Sequence, residues 1–153
     1  MPAATALARR RGLLALVLVL PALAGQARVN AEGGGGVAIR GTDPVAYHLE
    51  GRPVPGRPEF AHDWGGATWR FASAAHRDRF AAEPDRYAPA YGGFCAYAVA
   101  RGYTAPIDPA AWRIVEGRLY LNYDLRTRSL WARDIPGEIA RADRNWPGLA
   151  AQR

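Results

Sequence analysis

The stretch Phe60–Pro84, FAHDWGGATWRFASAAHRDRFAAEP, decides the fold class. Phe60, His62 and Trp64 alternate with Ala61 and Asp63, the period of a strand. Gly65-Gly66 supplies the positive backbone angles of a tight turn, and Trp69 and Phe71 then share one face of a returning strand. Ser73 follows as an N-cap, and Ala74 to Glu83 reads as a helix that Pro84 ends. His76 and Phe80 are four apart and so lie on the same face of that helix.

The same order recurs downstream. Trp112-Arg113-Ile114-Val115 and Arg118-Leu119-Tyr120-Leu121 flank Glu116-Gly117, a two-residue hairpin link. Asp124 caps a helix running to about Arg133, Ile135-Pro136 ends it, and a last helix carries Ile139, Ala142 and Trp146 at spacings of three and four. Upstream, Val37–Arg40 reads as a short first strand. Thr42 or Asp43 then caps a single helical turn, Val45–His48, with Pro44 in its first turn. Pro53, Pro55 and Pro58 favour an extended connection. The pattern predicts one small α+β domain, two β-hairpins packed with short helices, over residues 40–150. Residues 28–39, with four consecutive glycines, read as a flexible lead-in.

Residues 1–27 have the order of a cleavable signal peptide: Arg9-Arg10-Arg11, an apolar run from Leu13 to Leu20, then Pro21 and small residues. The apolar run falls short of the roughly 20 residues that a membrane span needs. Cleavage fits after Ala24 or after Ala27. Arg10-Arg11-Gly12-Leu13-Leu14 suits the twin-arginine route, whereas Arg9 before the pair and the leucine-rich run suit the general secretory route. Either predicts a periplasmic or secreted protein. The only cysteine, Cys95, lies far from the cleavage region, so no lipid-acceptor cysteine is available as a membrane anchor. Every one of the 20 basic residues is Arg, and loss of residues 1–27 leaves 17 of them against 14 acids, a charge of +3. These arginines alternate with acids instead of forming a stripe, which argues against nucleic-acid binding.

Several segments together carry a resemblance. They are Asp43-Pro44-Val45-Ala46-Tyr47, Gly66–Ser73, Arg77-Asp78-Arg79-Phe80, Glu83–Tyr87, Tyr91–Ala98, Tyr120-Leu121-Asn122-Tyr123, Trp131, Asp134–Gly137 and Asn145-Trp146-Pro147. Over residues 40–149 the chain resembles a YHS domain of the exported bacterial subgroup, some of whose members carry selenocysteine at the Cys95 position. Metal-binding YHS modules place one cysteine in the strand before the central helix and another four residues later. Those positions are Ala72 and His76 here, so the resemblance implies that the two-thiolate site is lost.

Gly92-Gly93-Phe94-Cys95 is the most site-like stretch. The glycines permit close backbone approach and open a helix over Phe94–Arg101, with Cys95 in its first turn. There the unpaired amides would pull the thiol from about 8.5 towards neutrality, and thiolate is what metal binding or redox chemistry requires. The alternative is that the glycines form a turn and the thiol fills apolar space among Phe94, Tyr97 and Val99. A single cysteine cannot form an internal disulfide. By ligand softness, Cys95 with His76 and His62 would suit copper or zinc. Gly92, Gly93 and Tyr97 are the residues that would line a small-ligand pocket. His48, just after Tyr47, reads as near the surface. The only methionine is Met1, and no Ser/His/Asp set, paired-carboxylate motif, phosphate loop or CxxCH is present. Three readings follow: a periplasmic module binding a soft metal or small ligand around Cys95, a thiol-redox protein using Cys95, or a non-catalytic domain that binds a periplasmic protein partner.

Overall fold

A computed structural model describes residues 28–152; the signal-peptide reading of residues 1–27 lies outside them. The chain is a small α+β domain containing two separate antiparallel hairpins and short helices. Strand β1 (Arg57–Trp64) pairs with β2 (Ala67–Phe71), and β3 (Trp112–Val115) pairs with β4 (Arg118–Leu121). Both turns are those read from the sequence. Gly65 and Gly66 have φ of 63° and 79°, and Glu116 and Gly117 have φ of 50° and 79°, as a two-residue hairpin link demands. Between Arg57 and Ala61 the register slips, so Pro58 falls where no regular ladder bond is lost.

The helices are α1 (Pro44–Leu49), α2 (Ala74–Ala82), α3 (Pro84–Tyr87), α4 (Ala96–Val99), α5 (Leu125–Trp131) and α6 (Ile135–Ala150). Asp43, Ser73 and Asp124 cap α1, α2 and α5, accepting from the amides of Ala46, His76 and Thr127 respectively. Each satisfies an amide that the first turn leaves unpaired. At Ile135-Pro136 the expected break is also a beginning. Asp134 accepts from the Gly137 amide, and Pro136 sits in the first turn of α6, where its missing N–H costs nothing. Among the described residues, no helix is long and apolar enough to cross a membrane.

Two upstream expectations are corrected. Val37 only bridges Thr68, and Ala38–Gly41 is a 3-10 turn with Ile39 and Arg40 at φ of 41° and 57°. The turn is enforced because the Ile39 amide donates to Asn30 O at 2.9 Å while its side chain is wholly buried. The supposed lead-in is also bonded into the domain: the Asn30 amide donates to Gly92 O at 2.9 Å and Asn30 Nδ2 to Gly93 O at 3.0 Å. Only Glu32–Gly36 project into solvent.

Two apolar cores result. The first joins Ile39, Tyr47, Trp69, Phe71, Phe80 and Tyr87. Phe80 is its centre, with ring centroids of Trp69 and Phe71 at 5.1 Å and Trp64 edge-on at 5.7 Å. The second joins Tyr91, Phe94, Val99, Tyr120, Trp131 and Ala142. Cys95 belongs to the first core, whereas its neighbours Phe94 and Ala96 belong to the second. The thiol therefore lies on the seam.

Candidate functional site

Cys95 sits at the N-cap position of α4, which is only the four residues Ala96–Val99 instead of the longer helix expected over Phe94–Arg101. Its amide donates to Ala105 O at 3.1 Å and its carbonyl accepts from Val99. The sulfur meets the end of β4: the Tyr123 amide donates to Sγ at 3.3 Å, and Sγ–H faces Asn122 Oδ1 at 3.7 Å. Asn122 Oδ1 also accepts from the Tyr97 amide at 3.1 Å. A closed loop of hydrogen bonds thus joins thiol, amide side chain and the start of α4.

The thiolate expectation is overturned. Burial pushes the Cys95 thiol above its ordinary value, outweighing the opposing hydrogen bonds from the Ala98, Tyr123 and Tyr97 backbone. With 1% of the residue exposed, desolvation of the charged form dominates, and one turn of helix supplies too few aligned amides to reverse it. At neutral pH the sulfur is therefore a protonated thiol.

One side of Cys95 borders a recess of about 280 Å³, lined also by Tyr97, Ala98, Tyr103, Ala105, Tyr123 and Thr127. Tyr103 and Tyr123 are 52% and 54% exposed. Leu125, two positions after Tyr123, is similarly exposed. Tyr97 is held by Arg101, whose guanidinium lies 3.3 Å from the ring centroid while bonding Tyr97 O and the buried Glu138. Asn122 behind the thiol is fully buried, and its Nδ2 donates to no group among the described residues.

The imidazoles are engaged elsewhere. His76 Nδ1 lies 2.6 Å from Asp43 Oδ2. That same oxygen accepts from the Ala72 amide at 2.8 Å, and Oδ1 accepts from the Val45 and Ala46 amides. His62 turns its ring towards Phe80, with centroids 6.2 Å apart. Among the described residues, no group of three or more His, Cys, Asp or Glu side chains is arranged to hold a metal ion. The structure thus unites Cys95 with Tyr97 but not with His76 or His62.

Gly92 and Gly93 also have their reason within the chain. Gly92 has φ of +61°, and a Cβ there would lie 2.0 Å from Arg28 O; at Gly93 (φ +83°) it would lie 2.4 Å from Ile39 Cγ2. The close approach that the glycines permit is by the chain's own segment Arg28–Ile39. His48, read as near the surface, is instead half-buried against the edge of Tyr87, with Nε2 buried and unpartnered among the described residues. Burial lowers its pKa.

Asn122 escaped the sequence reading as a site residue because an Asn just after a strand is ordinarily a turn former. Its place two residues before the Asp124 cap was the available signal. No known family model matches the chain, and no curated protein or solved structure is significantly similar to it.

Proposed function

We propose that this chain is an exported binding module that takes a small, largely apolar ring-bearing ligand in the recess over Cys95. What carries the reading is the recess itself, an aromatic-walled hollow whose two rim tyrosines are more than half exposed beside a buried thiol. Its volume of about 280 Å³ lies at the small end of ligand pockets and above a benzene-sized cavity of roughly 150 Å³. Tyr97, Tyr103 and Tyr123 offer ring faces, and their hydroxyls suit the polar edge of a ligand. A protonated thiol adds soft, polarisable surface to the floor. The small-ligand half of the sequence reading is preferred to the metal half because, among the described residues, no group of three or more His, Cys, Asp or Glu side chains gathers at Cys95.

The test is an NMR titration with p-cresol, following the amides of Tyr97, Ala98 and Tyr123. Saturable shifts at these amides, weakened at least about tenfold by Thr127→Trp, are expected; a Trp side chain there fills the mouth while the helix backbone is kept. Absence of shifts at the recess, or equal affinity in the filled variant, overturns the reading. Copper(I) and zinc titrations of the wild type and Cys95→Ser form a parallel arm. Tight metal binding lost in Cys95→Ser would replace the apolar ligand with a soft metal.

A further inference from the structure

Away from Cys95, a larger cavity of about 380 Å³ opens where segments distant in sequence converge. Its walls are Trp64 and Trp69 of the first hairpin, Tyr91, and Trp146 of α6. Arg28, Arg118 and Asp85 also line it. We infer that this cleft is a second binding site, for a small aromatic monoanion: a planar ring held among the indoles with its negative group on Arg118.

Three observations carry the assignment. First, the aromatic walls are pre-positioned. Tyr91 is a non-glycine residue at φ 57°, its hydroxyl lies 2.9 Å from Asp143 Oδ1, and its ring lies between Tyr120 and Trp146 with centroids 5.9 and 6.0 Å away. Left-handed backbone at a bulky residue persists only where its surroundings enforce it. The Trp69 Nε1–H is consumed by Trp64 O at 3.0 Å, which fixes the two indoles against each other. Second, two guanidinium groups face one carboxylate, so the lining carries a net charge of +1 that one anionic group would neutralise. Third, the cations are not equivalent. Arg28 is paired with Glu32 at 3.1 Å and stacked 4.8 Å from the Phe94 centroid. Arg118 lies at the rim, 5.9 Å from the Tyr91 centroid, and makes no ion pair among the described residues. It is the cation available to a ligand, and Asp85 disfavours a second negative charge.

The five tryptophans provide an internal readout. Trp64, Trp69 and Trp146 line the cleft, whereas Trp112 packs on Tyr47 and Trp131 on Tyr120. Titration of the ¹⁵N-labelled protein with phenylacetate should shift the first three indole N–H signals and leave the other two in place. Phenylacetamide, of the same size but neutral, should bind about fivefold or more weakly. Arg118→Glu, at an exposed strand end, should abolish that preference, while Thr127→Trp should not affect it. Shifts absent or spread over all five indoles, equal affinity for the two probes, or a preference that survives Arg118→Glu would each overturn the assignment. Because Thr127→Trp closes only the Cys95 recess, failure of one site is distinguishable from failure of the other.

Discussion

Asp43 and Asn122 are both wholly buried, and both tie the end of a strand to the start of a helix, yet only Asp43 is saturated. Asp43 receives the amides of Val45, Ala46 and Ala72 and the His76 imidazole, so each oxygen has two partners. Asn122 uses its oxygen twice, for Cys95 and Tyr97, and leaves Nδ2 without an acceptor among the described residues. A buried polar group that is fully paired specifies geometry, and one that is half paired is costly to keep. The first joint thus reads as a clasp holding α1, β2 and α2 together. The second lies behind the recess assigned to a ligand, where polar capacity has a use.

The sharpest break of that comparison is Asp43→Ala. It removes an N-cap and strands the Ala72 amide and the His76 ring in an apolar setting. The expected loss is about 3 kcal/mol or more in urea unfolding. Asp43→Asn, which keeps the shape and part of the capping, should lose less. A loss below about 1 kcal/mol for the alanine variant would show that the clasp is not what holds the three elements.

Asn122→Leu should cost less, about 1–2 kcal/mol, because two donors lose an acceptor while the unused Nδ2 takes nothing with it. A loss equal to that of Asp43→Ala would erase the distinction between the joints. If p-cresol binding in the recess also weakens in Asn122→Leu at a temperature where the variant is fully folded, the open joint is tied to the site and not only to stability.

How legible each region was follows from the range of the forces that build it. Both hairpins, the Asp43, Ser73 and Asp124 caps and the α+β class could be read from residues a few positions apart, since turns and caps are local devices. A cap at Thr42 or Asp43 was anticipated, but the bonds of Asp43 to Ala72 and His76, 29 and 33 positions away, were not. Four glycines suggested a flexible lead-in over residues 28–39; Glu32–Gly36 are exposed, but Asn30 just before them is buried and bonded into the domain. The 3-10 turn at Ile39 is fixed by another bond, from its amide to Asn30 O, which no alternation of apolar residues encodes. Cys95 failed as a thiolate for a quantitative reason: the sign of its shift depends on desolvation against a few amides, and only the fold reveals how deeply the sulfur lies. The tryptophan cleft was illegible because its walls come from both hairpin strands, the Tyr91 turn and the last helix.

The smallest expected effect concerns the thiol itself. Burial raises the Cys95 pKa above the ordinary value of 9.0, so the folded state holds this proton more tightly than the unfolded chain does. Its contribution to stability is complete below about pH 9 and is lost as pH rises through the folded value. Tyr47, Tyr91 and Tyr120 are also raised by burial and add losses from about pH 10 upwards. The measurement must therefore be a difference: urea unfolding of wild type minus Cys95→Ala, between pH 8 and pH 10, in which the tyrosine contributions cancel. The wild type should lose more stability across that window. Iodoacetamide at pH 8 should alkylate the native thiol at least about tenfold more slowly than the urea-unfolded chain. Native alkylation as fast as that of the unfolded chain, with a flat or opposite pH difference, would mean an ionised, accessible sulfur. The thiol-redox reading would then displace the binding one, because a thiolate open to reagent is a nucleophile before it is a pocket floor.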